Sequence, residues 1–155
     1  MEKLKKYLNT DFYKSVGFYL TAASVLLAFA GGVVYAVAFR REFLSEYYSA
    51  AVVVLPILSL VLTAAAYVFR PVAAYAPVIC WGFSFAAFLA FAGTSYMYLS
   101  GVFYNGVSAE AFALLDSSYL FIAIALLLSS IIGNVAMWMK QTAVKNVTGT
   151  GEAIA

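Results

Sequence analysis

Four long apolar runs, 15–39, 50–69, 76–99 and 119–139, alternate with short polar segments, and no Asp, Glu, Lys, Arg or His falls inside any run. A hydrocarbon core about 30 Å thick is crossed by about 20 helical residues rising about 1.5 Å each, a length that every run reaches. The pattern predicts an all-α integral membrane protein with four transmembrane helices in an antiparallel bundle. Short interfacial helices are expected in the outer loops. Around the transmembrane domain (15–139) the reading places a cytoplasmic amphipathic segment (1–14) and a disordered cytoplasmic tail (140–155). A secretory signal is the rival reading of the first run, through its lysine-rich approach and the triplet Ala36-Val37-Ala38. The run is much longer than the roughly 7 to 15 residues of a signal's apolar region, which favours a retained helix.

The polar segments orient the helices. Of nine Lys and Arg residues, seven lie on one side of the proposed bilayer: Lys3, Lys5, Lys6, Lys14, Arg70, Lys140 and Lys145. The other side has only Arg40 and Arg41. Basic residues beside spans are retained in the cytoplasm, so a multi-pass protein of the cell membrane with both termini cytoplasmic is expected. In the first outer loop Phe39, Phe43 and Tyr47 recur every four residues, the spacing of an interfacial helix. Further on, Tyr104-Asn105-Gly106 reads as a turn, Ser108 as the cap of a short helix, and Asp116 or Ser117 as the cap of the fourth span.

Spacing inside the apolar runs adds a packing code. Ser24, Ala28, Gly32 and Ala36 place small side chains on one face of the first span, and Gly82, Ala86, Ala90 and Thr94 do so in the third. Small residues four apart let helix backbones approach closely, which is how helices associate where lipid is as apolar as leucine. The two ladders lie 62 residues apart, as do the words Leu27-Ala28-Phe29-Ala30-Gly31 and Leu89-Ala90-Phe91-Ala92-Gly93, which suggests two tandem helical hairpins.

Composition then removes whole classes of chemistry. The 155 residues are 65% hydrophobic and 10% charged, with net charge +2, so a nucleic-acid partner is not expected. There is no histidine and one cysteine, Cys80. The commonest general base and metal ligand are missing, and no CxxC pair or thiolate cluster can form. We expect no enzyme, no catalytic residue, no metal and no cofactor. Cys80 reads as a packing residue, with palmitoylation the functional alternative.

Two candidate sites remain. Pro56, Ser59, Thr63, Ser130 and Asn134 are polar or helix-breaking positions at membrane depth. They read either as a pocket for a small neutral ligand or as interhelical hydrogen-bonding groups. Arg40 and Arg41 are candidates for an anion or a partner carboxylate, against local pairing with Glu42 and Glu46. The expected function is that of a non-enzymatic polytopic protein acting through helix contacts, as an accessory or self-associating component. Its partners are the bilayer and a second copy or a larger membrane protein. On this reading Gly32→Leu or Ala90→Leu disrupts an assembly. The alternative is a small oligomeric permease or channel for a neutral or weakly polar solute. Glu42 with Glu46 marks the minimum for lipid-directed acid/base chemistry, with no nucleophile nearby.

Overall fold

Each apolar run folds as one helix, and the first and last of them begin at a side-chain cap. The computed structural model describes residues 15–41, 44–69 and 71–141, and the amphipathic segment before Ser15 and most of the tail lie outside them. Helix α1 spans Val16–Ala38, α2 Ala50–Val68, α3 Ala76–Val102, the short α4 Ala109–Ala113, and α5 Ser117–Met137. No strand occurs among the described residues, and α1, α2, α3 and α5 are long and apolar enough to cross a membrane. At the start of α1 the Ser15 hydroxyl accepts from Phe18 N at 3.2 Å. Ser108 accepts from Ala111 N at 3.1 Å ahead of α4, and Asp116 accepts from Ser118 N at 2.8 Å ahead of α5. Each cap satisfies an amide that a helix's first turn leaves open. Pro77 occupies the first turn of α3, where its missing N–H costs nothing. Gly106 turns the chain between α3 and α4 at a φ of 104°, a conformation that favours glycine.

The long helices form a ring. Helix α1 packs most extensively on α5, α2 on α3, α3 also on α5, and α1 less extensively on α2. Helices α2 and α5 therefore occupy opposite corners. The ends are matched by hydrogen bonds. Ser15 Oγ donates to Gln141 O at 2.9 Å and joins the start of α1 to the chain leaving α5. At the other end Arg41 Nη1 meets Asp116 Oδ2 at 3.4 Å, and Asp116 N donates to Tyr98 OH at 3.2 Å.

Pro56 lies inside α2, where it lacks the amide that would bond the preceding turn. Gly32 of α1 faces its ring: a Cβ at Gly32 would stand 3.2 Å from Pro56 Cγ. A glycine opposite a proline is thus the close approach that joins α1 to α2.

The interior divides into two zones. Toward the Asp116 end it is aromatic, built on Tyr35, Phe39, Phe91 and Tyr119, with Tyr35 stacked on Phe39 at 4.3 Å and Phe91 meeting Tyr119 at 5.1 Å. Toward the Gln141 end it holds buried hydroxyls, a thiol and an amide. The expected interfacial helix through Phe39, Phe43 and Tyr47 is corrected here. Phe39 is 0% exposed and caps α1, while Tyr47 sits half-buried in a 3-10 turn, Ser45–Tyr47; Phe43 and Glu42 lie outside the described residues. The reason is a fold-back. Tyr35 OH donates to Tyr47 O at 3.1 Å and accepts from Ser49 N at 2.8 Å, which draws the loop over the end of α1.

Candidate functional site

The polar zone at the Gln141 end holds most of the hydrogen-bonding chemistry buried in the bundle. Its first element is a reciprocal pair between α1 and α5. Ser24 Oγ donates to Ser129 O at 2.7 Å, and Ser129 Oγ donates to Ser24 O at 2.8 Å. Both serines are 0% exposed. Gly133 permits the approach, since a Cβ there would lie 3.1 Å from Ser24 Oγ and 3.3 Å from Trp81 Cα. Cys80 of α3 donates its S–H to Ser24 Oγ at 3.2 Å, and the Ser59 hydroxyl of α2 lies 3.5 Å from Cys80 O. One residue from every long helix thus meets at this level. Cys80 is buried and engaged, which answers the palmitoylation reading with packing.

The second element is Gln141, which sequence reasoning assigned to a disordered tail. It is 7% exposed. Its Nε2 donates to Ala136 O at 2.6 Å and Met139 O at 3.0 Å, so the side chain folds back over the end of α5, where Ala136 O also accepts from Met139 N at 3.2 Å. Its Oε1 accepts from Tyr67 OH of α2 at 2.6 Å. The Thr21 hydroxyl, which donates to Gly17 O of its own helix at 2.8 Å, stands 3.5 Å away. Gly17 makes the room: a Cβ there would collide with Gln141 Nε2 and stand 2.7 Å from Lys140 O. The carboxamide therefore ties α2 to α5, and the backbone carbonyl of the same residue, accepting from Ser15 Oγ, ties in α1. Gln141 is the only glutamine in the chain, the one sequence signal that marked it.

The expected pocket residues are not brought together. Pro56 borders a groove between α1 and α2 with Gly32, Val33, Val53 and Ile57, and Thr63 borders another with Phe18, Ala22 and Tyr67. Ser130 and Asn134 border a third, between α3 and α5. Ser130 Oγ donates to Leu126 O of its own helix at 2.9 Å, and Asn134 is exposed. With α2 and α5 at opposite corners, the grooves at these positions are separate among the described residues. Among the described residues the hydroxyls of Thr63, Ser84 and Ser95 are buried without a hydrogen-bond partner.

The two ladders differ in their surroundings. Ser24, Ala28 and Gly32 are buried against α5 and α2, and Ala36 is half-buried. In α3, Ala86, Ala90 and Thr94 are half-buried, and Gly82 is exposed with nothing within 4 Å of where its Cβ would be. The buried stripe of α3 is Pro77, Cys80, Ser84, Ala87, Phe91 and Ser95. Burial follows the 62-residue offset at some positions and not at others: Val25 and Ala87 are both buried, whereas Tyr35 is 0% exposed and Met97 is 64% exposed.

Arg40 is exposed, and exposed Arg41 pairs with Asp116. Partial burial pushes the Asp116 carboxyl up, but hydrogen bonds from Ser118, the Arg41 guanidinium and a backbone bond to Tyr119 outweigh it and hold the group below its usual range. Comparison with protein-family models, curated proteins and solved structures finds no match.

Proposed function

We propose that the protein is a four-helix membrane component, inserted as an antiparallel bundle with both termini cytoplasmic. It works non-enzymatically through contacts made by its outward face, as an accessory or self-associating element. The observation that carries this reading is the contrast between interior and exterior. Inside, the aromatic zone packs the helices together, and Ser24, Ser129, Cys80, Tyr67 and Gln141 join them by hydrogen bonds. Outside, every long helix presents large apolar side chains, among them Leu26, Val61, Leu89 and Ile131. An apolar girdle suits lipid and helix partners, and among the described residues the grooves bordered by Pro56, by Thr63 and by Asn134 are separate from one another. The Lys and Arg asymmetry supports the cytoplasmic placement of the Gln141 end, next to Lys140.

The test is the stoichiometry of the full chain purified in mild detergent from near-native expression. The reading expects an assembly larger than one chain, either self-associated or with a stoichiometric membrane partner. A monomer that carries a neutral solute into liposomes would replace it with the permease reading.

A further inference from the structure

Among the outward faces of the four long helices, that of α5 alone displays an exposed carboxamide. Asn134 is exposed, lies one helical turn inside Met137, and has no hydrogen-bond partner among the described residues. In a bilayer a carboxamide pointing away from its own bundle favours a partner that offers both a donor and an acceptor. Another Asn offers both.

The residues in line with Asn134 supply a second, independent observation. Leu120, Ile124, Leu127, Ile131, Asn134 and Trp138 succeed one another at alternating steps of four and three. The four aliphatic members are between 42% and 55% exposed, and Trp138 is 84% exposed. Any helix face repeats at such steps; the content of this one is specific. Ile recurs at every a position before Trp138, Leu recurs at the d positions, and Asn134 takes the last d position. Ile at a with Leu at d is the arrangement that favours two parallel strands, and a polar side chain on a membrane helix face is satisfied by a hydrogen bond across to a neighbouring helix. Two copies inserted with the same topology have parallel α5 helices, so a two-fold axis along the membrane normal sets Asn134 against Asn134. Each carboxamide then donates to the other's oxygen. The seam has no charged residue to oppose the pairing. Beside it, a groove of about 270 Å³ bordered by Trp81, Phe85, Leu127, Ile131 and Asn134 gives the partner's side chains a recess at this level.

We infer that α5 is a self-association surface, a parallel two-fold seam with Asn134 paired to Asn134 of a second copy. This rests on the reading of the protein as a helix-contact component, and it names both the partner and the face.

Disulfide cross-linking of the full chain in dilute liposomes tests it. Buried Cys80 supplies a silent background. Single cysteines at Ile124, Leu127 and Ile131 form dimers, whereas cysteines at Gly82 on α3 or Val33 on α1 do not. Asn134→Leu weakens the dimer roughly 3- to 30-fold, from one or two lost interhelical hydrogen bonds, and Asn134→Gln retains most of the affinity. Cross-links at Gly82 or Val33 in place of the α5 positions would overturn the seam while leaving self-association intact. A chain that never cross-links and binds a different membrane protein would overturn it while leaving the accessory role. An Asn134→Leu variant that dimerises like the wild type would show that headgroup water, and not a second carboxamide, serves Asn134.

Discussion

Replacing Gln141 by Leu keeps a side chain of similar bulk and removes the carboxamide that joins α2 to the end of α5. The bonds lost are those from Tyr67 OH at 2.6 Å, to Ala136 O at 2.6 Å and to Met139 O at 3.0 Å. At about 1 kcal/mol for each neutral hydrogen bond the loss is about 3 kcal/mol. At the average of about 0.6 kcal/mol measured between membrane helices it is about 2 kcal/mol. Met139 is 43% exposed, so water reaches part of the freed helix end, and the lower figure is the expectation. Unfolding of the reconstituted chain by a denaturing detergent, followed by near-ultraviolet circular dichroism, measures it. Tyr67→Phe shares one of these bonds, so the double variant should cost less than the sum of the singles by about 1 kcal/mol. The latch is refuted if Gln141→Leu stays within about 0.5 kcal/mol of wild type, the range of an ordinary surface change. Additive effects of the two singles would refute the Tyr67 contact specifically.

Four other outcomes are expected, three from the structure and one from the Lys and Arg asymmetry. Gly32→Leu overfills the contact with Pro56, where a Cβ already stands 3.2 Å away, and should lower stability by about 1 to 3 kcal/mol. Gly82→Leu, with nothing within 4 Å, should leave the same detergent midpoint nearly unchanged. Because Asp116 is held below its usual range, its stabilisation is complete above the ordinary carboxylate pKa of about 3.9 and is lost as pH falls through the lower folded value. Asp116→Asn should therefore flatten the acid limb of the unfolding midpoint measured from about pH 5 downward. For topology, a cysteine at Asn105 should react with an impermeant maleimide added outside whole cells, and one at Lys140 only after permeabilisation; equal labelling would reject the orientation.

The helices were legible in the sequence because an uncharged run of membrane length leaves few alternatives, and the observed ends of α1 and α2 lie within two residues of the expected ones. The first ladder was legible for the same reason that it packs: Gly32 and Ser24 are small where α2 and α1 and α5 close up. In α3 the same logic picked a stripe rotated from the buried one. An apolar helix carries no hydropathy contrast between its protein face and its outward face, and small residues occur on both. Phe39 looked amphipathic in context because nothing local reveals that the loop folds back onto Tyr35. Gln141 was hidden for a similar reason. Its partners Ser15 and Tyr67 are 126 and 74 residues away, and a polar residue past an apolar run reads as tail until those partners are in place.

The central claim is that this bundle works by what it touches from outside, and counting copies in a bilayer tests it most directly. Chains labelled with one fluorophore each and reconstituted in liposomes across a dilution series should bleach in two steps at ordinary density, with single steps appearing on dilution. Asn134→Leu should shift that crossover to roughly 3- to 30-fold higher density. Single-step bleaching of the wild type at every density, without a co-purifying membrane partner, would contradict the account.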